Sequence, residues 1–240
     1  MSDQTLLIPV VFPEPDLSPM DDMHLAGLRG FNIVLSGYWE VPAGVSPETV
    51  RDDHGTEAEA VLYDIAAQFS RAGASTDIQL QFGSAGAGER EYQNRLVAGI
   101  GADGVLLADR LQSMHNLLVP LRDSRHQAEI VDLVSAFDAG SLFILELYHV
   151  AAEEAAVEAA TEMLRDVEET LLARGFSEAD LEVTVEVADD PKAAIAAIAR
   201  DHHIVVMGET QQPEASDQLF GPVCTYIAEE SGTPIIVVRE

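Results

Sequence analysis

Apolar residues recur along this chain in two rhythms. Short, nearly continuous apolar runs occupy residues 6–10 (LLIPV), 31–39 (FNIVLSGYW), 104–108 (GVLLA), 117–121 (LLVPL), 141–150 (SLFILELYHV), 204–208 (IVVMG) and 234–239 (PIIVVR). Runs of this length predict strands buried on both faces. Between them, apolar residues fall at three- and four-residue steps: Ala58, Leu62, Ile65 and Phe69, then Val157, Ala160, Leu164, Val167 and Leu171. That spacing lays one apolar stripe along a helix. Thr56 with Glu59 reads as a capping box for the first of these helices, and Gly73 and Gly175 as stops. Asp190 and Pro191 read as N-cap and first residue of a shorter helix over 191–200, with another predicted over 89–98. Two segments, 77–82 (DIQLQF) and 181–187 (LEVTVEV), alternate polar and apolar and predict strands at or near a sheet edge.

The order of these elements repeats. LLIPV recurs as LLVPL, and the following runs keep the same interval, about 110 residues on. Strand–helix alternation implies parallel sheets with helices on both faces. The expected fold class is therefore α/β, with two tandem doubly wound halves over residues 1–112 and 113–240. The first half lacks counterparts of the last helix and strand. It reads as a partial domain that covers sheet surface of the second.

Charge changes the picture of the environment. The chain carries 42 acidic and 13 basic residues, a net of −29, and Lys192 is its only lysine. Such a surface repels nucleic acid and anionic membranes. It also repels itself unless concentrated salt screens it, and the composition resembles proteins of extremely halophilic archaea. One cysteine, Cys224, allows no intrachain disulfide and fits a cytoplasmic setting. The opening MSDQTLLIPVVFPEPD has no basic start, which argues against a signal peptide, and no run is long enough for a transmembrane helix.

Candidate chemistry gathers after the fourth strand of the second half. Ligands of doubly wound sheets sit beyond the carboxyl ends of the strands, and the segment from Met207 runs strand, Gly208, loop, Gly221, helix. The segments LLVPLRDS (117–124), LYHV (147–150), VMGET (206–210) and GPV…SGTPIIVVR (221–239) resemble the universal stress protein family, with nearly all of 115–240 covered. The resemblance implies a stress-response protein that works by binding, with ATP or AMP as ligand. It places the nucleotide among Pro120, Arg122, Asp123, Val150, Met207, Gly208, Gln211, Gly221, Pro222 and Val223. Nucleotide-binding relatives carry Gly, two residues, Gly, nine residues, Gly, then Ser or Thr. Here Gly208 and Gly221 match, while Gln211 and Pro222 stand at the second glycine and at the hydroxyl position. Arg122 takes the place of an aspartate that helps hold the nucleoside, unless Asp123 serves from one residue on. The site therefore reads as degenerate. No arginine or lysine lies between Gly208 and Gly221, so the loop itself offers no basic phosphate clamp.

Other motifs carry less. The adjacent His202 and His203 diverge on an extended chain, His149 reads as structural, and His24, His54, His115 and His126 lack metal-ligand spacing. The glycine-rich 83–88 (GSAGAG) reads as a loop, and Cys224 as a buried helix residue. With no recognisable base or metal cluster, an enzyme, for instance a nucleotide hydrolase, ranks behind a binding protein. The alternative is a regulator of a protein partner, such as a membrane transporter, with no small ligand. The apolar last strand, lacking a fifth strand from the first half, is expected to pair with its copy in another chain and give a homodimer.

Overall fold

The structure is a computed structural model that describes residues 4–15, 22–84, 101–107, 113–208 and 221–239. Among these, nine strands form one sheet: β1 (Thr5–Phe12), β2 (Asn32–Val41), β3 (Ser75–Ser84), β4 (Gly104–Leu107), β5 (Asn116–Pro120), β6 (Ile144–Ala151), β7 (Leu181–Val187), β8 (Ile204–Gly208) and β9 (Ile235–Val238). Their order is β3-β2-β1-β4-β9-β8-β5-β6-β7. Pairing is parallel throughout each half. At the seam β4 and β9 run antiparallel, from Gly104 opposite Val238 to Leu107 opposite Ile235. The two halves therefore point their strands in opposite directions, and their carboxyl ends lie on opposite margins of the sheet.

This seam overturns the expected dimer contact. β9 is hydrogen-bonded on both sides, to β8 of its own half and to β4 of the other. It has no edge to offer another chain. One strand completes both halves, which is why the first half can do without a fifth strand of its own. The first half extends the sheet edge to edge and does not cover its partner's surface. The apolar character of β9 on both faces follows: Ile236 and Val238 point into the core on one face, and Ile235 and Val237 into the core on the other. The alternating strands β3 and β7 form the two outer edges, as their pattern predicts.

Helices cover both faces. α2 (Pro47–Ala72), α3 (Gln127–Val134) and α4 (Val157–Ala173) bury their stripes on one face, in a core that runs across both halves from Leu6 to Leu164. α5 (Pro191–Ala199) and α6 (Pro222–Ser231) cover the other, with Ala196, Cys224 and Ile227 buried. A short α1 (Asp22–Leu25) packs against α2. α2 begins earlier than the Thr56–Glu59 pattern suggests. Ser46 caps it, its hydroxyl accepting the Thr49 N–H at 3.1 Å, with Pro47 as first residue. Serine followed by proline outcompetes the later capping box because proline's fixed φ already fits the first turn. Gly83 belongs to β3 and not to a loop. A Cβ there would lie 2.5 Å from the Tyr38 ring, so any larger residue would force that ring to shift. The helix expected over 89–98 and most of the glycine-rich stretch lie outside the described residues.

Candidate functional site

The second half holds a cavity of about 360 Å³ beyond the carboxyl ends of β5, β6 and β8. Seven sequence-predicted residues line it: Pro120, Arg122, Asp123, Val150, Met207, Gly208 and Val223. Gly221 and Pro222 form the N-cap and first residue of α6, beside the cavity but not on its lining. Gln211 lies outside the described residues.

Each wall has a local cause. β5 ends at Pro120, and the Leu121 N–H still reaches the Tyr148 carbonyl at 2.8 Å before the chain turns. Asp123 organises that turn. Its Oδ1 accepts the Arg125 backbone N–H and Nε, each at 3.0 Å, while Oδ2 accepts Arg125 Nη2 at 2.5 Å and Arg122 Nε at 3.2 Å. Hydrogen bonding from Arg125 outweighs desolvation and holds the Asp123 carboxyl far below the usual carboxylate range. His126 then adopts a left-handed backbone (φ 56°) and opens α3, a conformation histidine tolerates better than most side chains. Its imidazole packs over Gly208, where an added Cβ would sit 3.2–3.3 Å from His126 atoms. His149 Nδ1 donates to the Leu121 carbonyl at 2.8 Å, tying β6 to the start of the turn, in keeping with its structural reading.

The cavity also takes in residues the sequence reading passed over. Tyr148 is fully buried, and its hydroxyl donates to Glu186 on β7. Burial first, and then the neighbouring carboxylate, push its pKa up, so the phenol stays protonated. α5 brings Pro191, Lys192 and Ile195 across the opening. Asp190 caps that helix, accepting the Lys192 and Ala193 N–H groups at 3.1 and 3.3 Å. The Lys192 ammonium lies 5.2 Å from the centroid of the Tyr226 ring. Arg125 completes the set. Among the described residues the cavity lining thus holds three basic side chains, Arg122, Arg125 and Lys192, and one acidic one, Asp123. A basic cluster is present after all, supplied by the turn after β5 and the first turn of α5, not by the glycine loop.

The remaining histidines lie elsewhere. His24, His115 and His203 gather at the amino ends of β5 and β8, His24 and His203 having ring centroids 5.9 and 6.3 Å from that of His115. Among the described residues no group of three or more His, Cys, Asp or Glu side chains is placed to hold a metal ion. His202 and His203 are wired oppositely. His202 donates from both nitrogens, to the Ile198 carbonyl at 3.0 Å and to Glu146 at 3.1 Å. His203 Nδ1 instead accepts the Asn116 N–H at 3.2 Å.

Residues 114–239 match the sequence pattern of the universal stress protein family, just over half of the chain. The chain belongs to the universal stress protein family. Its fold is similar to that of a universal stress protein from Archaeoglobus fulgidus, at 15% identity and a TM-score of 0.61, over 100% of this chain and 97% of that one. It is also similar to a functionally unknown protein from Pseudomonas aeruginosa, at 16% identity and a TM-score of 0.57, over 99% and 92% of the two chains. A putative universal stress protein from the same species gives 15% identity and a TM-score of 0.53, over 99% and 93%. No curated protein matches this chain in sequence. Among the described residues no helix is long and apolar enough to cross a membrane.

Proposed function

We propose that this universal stress protein is a tandem, salt-adapted, cytoplasmic member that works by binding, and that it holds an adenine nucleotide, ATP or AMP, in the cavity of its C-terminal half. The division at residues 112 and 113 belongs to the same reading, with the first half as the partial domain. The carrying observation is the local reversal of charge. In a chain of net charge −29, Arg122, Arg125 and Lys192 converge on one cavity whose other walls are mainly apolar. Apolar walls suit a planar base, and a few placed cations suit a phosphate. Basic groups at that point of an otherwise repulsive surface suit an anionic ligand.

Calorimetric titration with AMP in molar KCl tests the reading. Saturable binding at one site is expected, weakened about tenfold or more by Arg125→Gln combined with Lys192→Gln, since charge-assisted hydrogen bonds contribute ~1.5–3 kcal/mol each. No binding to the native protein would overturn it.

A further inference from the structure

We propose that Asp123 is a built-in stand-in for the ligand's anionic group: its carboxylate occupies the guanidinium fork of Arg125, and an incoming phosphate binds by displacing it. The inference rests on the proposed anion site and specifies how that site is gated. The resemblance suggests a different task for Asp123, holding the nucleoside, and the geometry speaks against that task. A carboxylate offers about four lone-pair positions. All four bonds Asp123 accepts come from its own turn: three from Arg125 and one from Arg122. Little acceptor capacity is left for a sugar hydroxyl.

The Arg125 contact is bidentate, Nε to one oxygen and Nη2 to the other. A phosphate engages the same edge of a guanidinium, with two oxygens on two parallel N–H groups. Carboxylate and phosphate therefore compete for one fork. The exchange is accessible. The side chains of Arg125 and Asp123 are 52% and 37% exposed, so the pair is a weak, partly solvated one, and no core must open to part it. Lys192 approaches from α5 on the same cavity and adds charge that a ligand dianion exploits more fully than the single carboxylate does.

Asp123→Asn separates the two tasks, because asparagine keeps an oxygen for the Arg125 backbone N–H and so preserves the turn, while releasing the fork. Affinities for AMP, pyrophosphate and adenosine are measured by calorimetry for native protein and variant at one fixed salt concentration. The expected result is that AMP and pyrophosphate bind about fivefold tighter to the variant, on the scale of an exposed ion pair, with adenosine unchanged. Arg125→Gln should weaken pyrophosphate binding in either background and abolish the gain. Unchanged or weaker AMP and pyrophosphate binding in Asp123→Asn overturns the stand-in, and so does pyrophosphate binding to neither protein. Weaker adenosine binding would return Asp123 to the nucleoside. Tighter pyrophosphate with no binding of AMP or adenosine would keep the stand-in and overturn the nucleotide reading. Circular dichroism of each variant checks that a lost signal is not a lost fold.

Discussion

The carboxyl ends of the two halves are built on one plan and come to opposite ends. In the second half Pro120 pairs with Tyr148, and two residues past Tyr148 stands Val150, at the cavity wall. In the first half Pro9 pairs with Ser36, and two residues past Ser36 stands Tyr38, buried to 3% exposure. Three residues past Pro120 lies Asp123, in a turn that has left the sheet; three past Pro9 lies Phe12, still paired in β1. Phe12 stacks on Trp39 at 5.5 Å, and Trp39 stacks on His54 at 4.7 Å. Arg51 lies over Phe82 at 5.4 Å. Where one half has an opening lined with cations, the described residues of the other bring stacked rings together at the strand ends. Topology fixes where a ligand could sit; a few side chains at the strand ends decide whether any space is there.

The largest effect should come from the strand that both halves share. Ile236 is fully buried between Leu106 and Val206, and Ile236→Lys places an unpaired charge there, expected to cost about 4 kcal/mol or more. If the halves fold as one unit, urea unfolding followed by fluorescence of Trp39, the single tryptophan and a reporter of the first half, should shift together with circular dichroism of the whole. Two separated transitions would show that the halves stand independently. Next, the rings and the cavity can be exchanged. Tyr38→Val removes a ring from the first half and is expected to cost about 2–4 kcal/mol through the void it leaves. Val150→Tyr fills the second-half cavity and should abolish AMP binding while costing no more than about 1–3 kcal/mol. Chemical denaturation and calorimetry on the two variants check the pair.

The smallest expected effect concerns pH at the two histidines that precede β8. Burial opposes charge on His202, but hydrogen bonds to Glu146 and the Ile198 carbonyl prevail and raise its pKa above 6.5. Hydrogen bonding from His202 outweighs desolvation and lowers that of Glu146 below 4.5. The pair's stabilisation is therefore complete below pH 6.5, fades as pH rises through the raised His202 value, and is lost in acid only as Glu146 protonates. His203 behaves oppositely. Burial, then nearby His115, His202 and His24, lower its pKa, so stability falls as pH drops below 6.5. Melting temperatures from pH 5 to 9 should show His202→Gln flattening the alkaline side and His203→Gln flattening the acid side. The same flattening from both variants would break the assignment.

Much of the architecture was legible because its signals are local. Apolar runs, helical stripes and the Asp190–Pro191 cap each carry their meaning within a few residues, and the alternation of β3 and β7 marks them as edges. The neighbour of β9 was not legible. PIIVVR says that both faces are buried, yet GVLL of β4 carries nothing that names it as partner, because strand pairing uses the backbone. At the site, topology points to the carboxyl ends of the strands, and the family resemblance supplies Pro120, Val150, Met207 and Gly208 there. Tyr148, Arg125 and Lys192 reach the cavity through a buried strand position, a turn and a crossing helix, which spacing after β8 does not register. A signal existed in the composition: the only lysine of the chain, and two arginines three residues apart in LRDSR, are conspicuous in so acidic a sequence.

The central place of β9 also bears on how the molecule is made. It is the last strand in chain order and the middle one in the sheet. During synthesis β4 leaves the ribosome about 130 residues ahead of the strand that will cover it, a wait on the order of ten seconds at ordinary elongation rates. Through that interval the N-terminal half presents an open sheet margin while still tethered. Only when β9 arrives are both halves closed, and they are closed at once.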